Sequence, residues 1–158
     1  MTPGDHGRAE VYAAELAAYE GTDLESVVRF DELVALADGV YSAAWWPGGY
    51  VPVKRARSDA RSSATRHASH TVVIRLASPQ MTPATLVHEL AHVLAGVGAG
   101  HGELFRRAHV DLASFAFGSD RGRWLAEAYA GAGLSLGTRR WPQPPSVAAS
   151  VALGPIPL

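Results

Sequence analysis

The sequence contains no cysteine, which excludes disulfides, a thiol nucleophile and any cysteine-based zinc ribbon. No stretch approaches ~18 consecutive apolar residues, so no transmembrane helix and no membrane partner are expected. Charge of one sign is also missing. The 14 Lys and Arg residues face 15 Asp and Glu, a net charge of −1, which gives no global attraction to nucleic acid or an anionic membrane. Met1 to Arg8 carries Asp5, His6 and Arg8 and lacks the apolar centre of a secretion signal, so a cytoplasmic location is expected. What is present is 158 residues, 47% hydrophobic and 18% charged. That is enough for one globular domain with a substantial core.

The chain reads as helices interrupted by a short β region. Arg8 to Tyr19 is rich in helix formers, with Val11, Tyr12, Leu16 and Tyr19 on one stripe. A second helix is expected from Asp31, as N-cap, to about Ser42, with Leu33, Leu36, Ala37 and Val40 inward. Trp45-Trp46-Pro47-Gly48-Gly49 reads as a turn. Strands are expected at Tyr50 to Arg57 and at Thr71 to Leu76, with a polar loop, Ser58 to Ser69, between them. Thr82 before Pro83 signals a helix start, and that helix should end near Gly96. Two more helices follow, from about Gly102 to Phe117 and from about Asp120 to Ala130. The expected fold class is α+β, a single domain over residues 1–137. Residues 138–158 contain five prolines and read as an unstructured tail.

Inside the helix opened by Pro83 lies His88-Glu89-Leu90-Ala91-His92, an H-E-x-x-H motif. Histidines four apart project from one helical face and can share one zinc ion, and the intervening glutamate can take a proton from a water activated there. Leu86, Leu90, Val93, Leu94 and Val97 form an apolar stripe on the other side. A catalytic zinc commonly takes three protein ligands. The first candidate for the third is His101, because Gly96, Gly98 and Gly100 can turn the chain back. Glu103 ranks next, and His109, Asp111 and Glu127 remain possible. The metzincin spacing is not met, since Ala95 and Gly98 occupy its Gly and His positions.

The segment HELAHVLAGVGAGHGELFRR resembles the SprT-like zinc metallopeptidases, whose pattern is H-E-x-x-H, a variable turn, then H-G-x-x-F. The last part is matched by His101-Gly102-Glu103-Leu104-Phe105. From Arg8-to-Glu15 to Glu127-Ala128-Tyr129 the chain also resembles small uncharacterised metallohydrolases of bacteria and their phages. The resemblance implies a zincin-like α+β fold and one Zn2+ held by His88, His92 and His101. It further implies Glu89 as general base and a peptide or protein substrate. The rival readings are a non-catalytic binding module that keeps the zincin fold and uses zinc structurally or not at all, which a fourth ligand, Glu103 or Asp111, would favour, and a DNA-associated SprT-like protease.

Other features are weighed more simply. Strand Thr71 to Leu76 is either an edge on which an extended peptide docks or an interior strand. Tyr129 is either a donor to an oxyanion or, the preferred reading, a packed residue. Trp45, Trp46, Trp124, Phe105, Phe115 and Phe117 are expected in the core or the cleft wall. Lys54, Arg55, Arg57, Arg61 and Arg66 crowd a stretch with one acid, Asp59. A solvated strand edge is favoured there over a nucleic-acid surface. A DNA-binding patch would show affinity falling steeply with salt and with Arg→Ala changes in this stretch; absent or salt-independent binding in a titration would remove it.

Overall fold

The computed structural model describes residues 7–57, 60–66 and 71–145. Among the described residues, five helices and a three-stranded mixed sheet make an α+β arrangement. Helices α1 (Arg8–Tyr19) and α2 (Phe30–Tyr41) come first. Strands β1 (Val53–Arg55), β2 (Ser63–Arg66) and β3 (Val72–Leu76) follow. The chain closes with α3 (Pro83–Ala95), α4 (Glu103–Phe117) and α5 (Ser119–Gly131). Among the described residues no helix is long and apolar enough to cross a membrane.

The sheet order is β1-β3-β2, with β1 parallel and β2 antiparallel to β3. Val73, Ile74 and Leu76 are all buried, so residues on both faces of this middle strand are shielded, and its apolar run is broken only by the half-buried Arg75. This corrects one of the two options for that segment: β3 has a neighbour on each side and offers no free edge. The expected polar loop from Ser58 to Ser69 instead contains β2, whose Ala64 pairs with Ile74. An outer strand with little apolar content leaves no alternating signal to read. Ser62 anchors its start: the hydroxyl accepts from Ala77 N at 2.9 Å, and its own N–H donates to Gln80 Oε1 at 3.0 Å. β1 is shorter than expected because Pro52 brings no N–H, although its carbonyl still accepts from Ile74 N at 2.9 Å.

Helix α1 occupies the expected span, but its buried stripe differs. Val11, Ala14, Glu15, Ala18 and Tyr19 face inward, whereas Tyr12 is 41% and Leu16 61% exposed. Helix α2 starts one residue before Asp31, with Arg29 as N-cap. Leu33, Ala37 and Val40 carry its packing. Trp45, Trp46 and Phe105 are core residues, while Trp124 is 40% exposed beneath the Arg121 guanidinium.

Helices α4 and α5 pack side by side, α4 also against α3, and α5 against α1. Residues 138–145 hold no helix or strand, yet they are packed onto α4. Asp111 accepts from Arg139 Nε at 2.6 Å, Arg139 Nη2 at 3.0 Å and Trp141 Nε1 at 2.9 Å, and Trp141 is buried. Residues 146–158, the rest of the expected tail, lie outside the described residues.

Helices α4 and α5 approach tightly at Gly122, where an added Cβ would lie 1.6 Å from Ser114 Oγ and 2.7 Å from its Cβ. Gly122→Ala is therefore expected to destabilise the fold by about 1–3 kcal/mol despite alanine's better helix propensity. A urea titration showing an unchanged or higher midpoint would refute this packing.

Candidate metal centre

Helix α3 begins as its sequence dictates. Thr82 Oγ1 accepts from Thr85 N at 3.1 Å, and Pro83 takes the first helical position, where its missing N–H costs nothing. Leu86, Val87, Leu90 and Ala91 are fully buried, which fixes the helix rotation and sets His88, Glu89 and His92 toward the cleft. The helix ends at Gly96, φ 104°, and Gly100 follows at φ 63°. Both take left-handed backbone that residues with a Cβ rarely adopt. The turn delivers His101, whose carbonyl is held by the buried Arg106 at 2.9 Å.

The ligand-capable nitrogens of His88, His92 and His101 lie within 4.8 Å of one another. His88 Nε2 and His101 Nε2 are 3.2 Å apart, close to the spacing of two nitrogens each about 2.0–2.1 Å from one tetrahedral zinc. Beneath them Phe105 places its ring 5.0 Å from His88, 4.5 Å from His92 and 4.9 Å from His101, centroid to centroid. That apolar floor is a physical reason for the phenylalanine in the H-G-x-x-F segment.

The other ligand candidates go elsewhere. Glu103 is exposed and accepts from Ser135 Oγ, Glu127 is exposed beside Arg123, and Asp111 serves Arg139 and Trp141. His109 is completely buried behind His88, where its Nδ1 accepts the Tyr129 hydroxyl at 2.6 Å. Tyr129 is itself fully buried, so of its two readings the structure keeps packing.

Two residues of α1 to which the sequence assigns no role at the metal motif complete the site. Glu15 Oε1 receives the His88 Nδ1–H in a very short hydrogen bond. It also lies 3.1 Å from His109 Nε2, near in distance but off the line of a hydrogen bond. The signal was available: Glu15 stands between Val11 and Tyr19 at i+4 spacing, a carboxylate within a buried stripe. Tyr12 stacks on the His88 ring at 5.2 Å with 7° between planes. Its place on one stripe with Val11 and Tyr19 does not tell a core face from a cleft wall.

Beside the histidines opens a cavity of about 330 Å3, lined by Arg8, Tyr12, Arg61, Gln80, His88 and Glu89 among others. Burial pushes the Glu89 carboxyl up to about 7; His88 and the Ala64 N–H oppose this, while Glu15 adds to it. Burial also pushes His92 down to about 3, helped by the charges of His88, His101 and His109. Burial opposes the charged forms of Glu15 and His88, but their mutual attraction outweighs it, holding Glu15 below and His88 above their ordinary values. A neutral His92 is the form a metal requires.

Comparison of the chain with protein-family models, curated proteins and solved structures gives no match. Among the described residues, His and Glu side chains, all buried except the half-buried His92, form two groups able to hold a metal ion, His88–His92–His101 and Glu15–His88–His109.

The shifts of His92 and Glu89 act on stability with opposite signs. Between about pH 3 and 6.5 the unfolded chain protonates His92 and the fold does not, so this contribution is lost as pH falls through that window. Between about pH 4.5 and 7 the fold holds a proton on Glu89 that the unfolded chain has released, so stability is lost as pH rises through that window. Glu89→Gln is thus expected to stabilise the metal-free protein by about 1–3 kcal/mol above pH 7 and by little at pH 4. Equal urea midpoints for the two proteins at pH 8 would contradict the burial of this carboxyl.

Proposed function

We propose that the chain is a zinc-dependent metallohydrolase of zincin type that cleaves amide bonds in a peptide or protein. The observation that carries this reading is the convergence of three imidazoles on one point with the buried Glu89 beside them, at the wall of an open cavity. The donor set fits zinc: three nitrogen ligands, no cysteine, and a spacing of 3.2 Å between two of them. Neither Glu103 nor Asp111 stands where it would close the site, which favours catalysis over the binding-module alternative.

His88, His92 and His101 would hold the ion. The chemistry a bound zinc supplies there is Lewis acidity, which makes a water acidic near neutral pH and polarises a substrate carbonyl. Glu89 takes the proton of the attacking water on its carboxylate and passes it to the leaving amine. Burial raises the metal-free carboxyl to about 7, and a bound cation would draw it back toward the carboxylate that accepts the proton. The Ala64 N–H of β2 steadies the Glu89 carboxylate. Arg8, Tyr12, Gln80 and Arg61 offer donors along the cavity. An extended substrate is best accommodated along β2, the outer strand on the Glu89 side, where backbone groups can pair with it. Nucleic acid is not required by this reading: Arg55 lies over Phe30, and Arg61 faces the cavity.

Protein purified without chelator is expected to hold about one zinc per chain by elemental analysis. Glu89→Gln should keep that zinc and lose about 10²–10⁴-fold in peptide hydrolysis, whereas His92→Ala and His101→Ala should lose zinc and turnover together. Turnover retained by Glu89→Gln would overturn its assignment as base, and a chain that never retains zinc would overturn the hydrolase reading.

A further inference from the structure

Four helices each send one polar side chain into a buried line behind the metal site: Glu15 from α1, His88 from α3, His109 from α4 and Tyr129 from α5. All four are buried, His109 and Tyr129 completely. Their hydrogens can be assigned by donor chemistry alone. An ionised carboxylate only accepts, so His88 Nδ1, hydrogen-bonded to Glu15 Oε1, must carry hydrogen. At His109 Nε2, 3.1 Å from the same oxygen but off the hydrogen-bond line, an N–H is favoured electrostatically over a lone pair, which the carboxylate would repel. With its Nε2 protonated, a neutral His109 has a lone pair on Nδ1, which is the atom that meets the Tyr129 hydroxyl at 2.6 Å. At the other end His88 keeps the proton on Nδ1 in either charge state, so its Nε2 is the nitrogen that can be bare. Nε2 is the atom 3.2 Å from His101 Nε2.

We propose that Glu15 is a positioning residue that fixes the Nδ1–H tautomer and ring orientation of His88 for metal binding, and that His109 and Tyr129 hold Glu15 in place. The proposal rests on reading His88, His92 and His101 as the ligands. A carboxylate behind a ligating imidazole raises ligand basicity as well as setting its direction. The stack of Tyr12 on His88 restrains the same ring from its face. Glu15, His88 and His109 also lie close enough to hold an ion themselves. That use would strip His88 Nδ1 of its proton and turn the shared histidine away from one task or the other.

The test uses the full chain labelled with ¹⁵N-histidine, observed by long-range ¹H–¹⁵N correlation without metal at pH 9 and again with one equivalent of zinc. His88 is expected to carry its proton on Nδ1 in both. Glu15→Gln should fold cooperatively, show a loss of that tautomer preference, and bind zinc about 10–100-fold more weakly in a chelator competition. His88 protonated on Nε2 in the metal-free wild type would overturn the proposal, and this reading stands even if Glu15→Gln does not fold. Folded Glu15→Gln binding zinc within twofold of wild type would overturn it too. Two zinc ions per wild-type chain would replace it with a second metal site. A wild type that shows the Nδ1–H tautomer but retains no zinc would sink the ligand assignment, leaving Glu15 a partner of structure alone.

Discussion

An ionised carboxylate inside a protein costs several kcal/mol unless its partners are in place, and the helical half of this fold is arranged around one. Glu15 sits on α1 at a position that would otherwise belong to an alanine or valine, with His88 of α3 and His109 of α4 against a single oxygen. Tyr129 of α5 closes the line. The four helices cannot slide or rotate independently without leaving a charge or an imidazole unpaired in the interior. A polar cluster of this kind specifies an arrangement, while the apolar area around it supplies the driving force.

That apolar frame is most evident at Phe105. Its ring lies against His88, His92, His101 and His109 and excludes water from beneath them. The same exclusion keeps His92 neutral and pushes Glu89 toward neutrality. Packing, protonation state and metal competence therefore have one cause. The turn between α3 and α4 adds the remaining constraint: two glycines in left-handed backbone and a buried Arg106 hold the His101 carbonyl.

On the cleft side the balance is different. β2 is short, polar and outermost, and it borders Glu89 through Ala64. Arg8 and Arg61 contribute positive charge to the cavity wall, and Glu15 is withdrawn into its pair with His88. The cavity thus sets polar side chains beside a largely buried group of histidines shielded from bulk water.

Local signals determined a good part of this molecule. The Thr82-Pro83 start, the span of α3, the end at Gly96, and the bounds of α1, α4 and α5 to within a residue or so follow from capping, helix propensity and glycine conformation, which act over a few neighbours. His88, Glu89 and His92 share a face because helical spacing puts them there. Their meeting with His101 was legible as the glycine-rich return, although spacing alone left Glu103 and others open. Tertiary structure alone decided the rest. β2 carries no apolar alternation, so only its pairing with β3 reveals it. Tyr12 and Glu15 lie on a helix whose periodicity is satisfied by more than one rotation, and packing of α1 against α5 selects the one that buries the acid and turns the tyrosine onto His88. Arg139 and Trp141 read as tail until Asp111 is seen to hold them, because a contact between residues about thirty positions apart leaves no mark in local sequence.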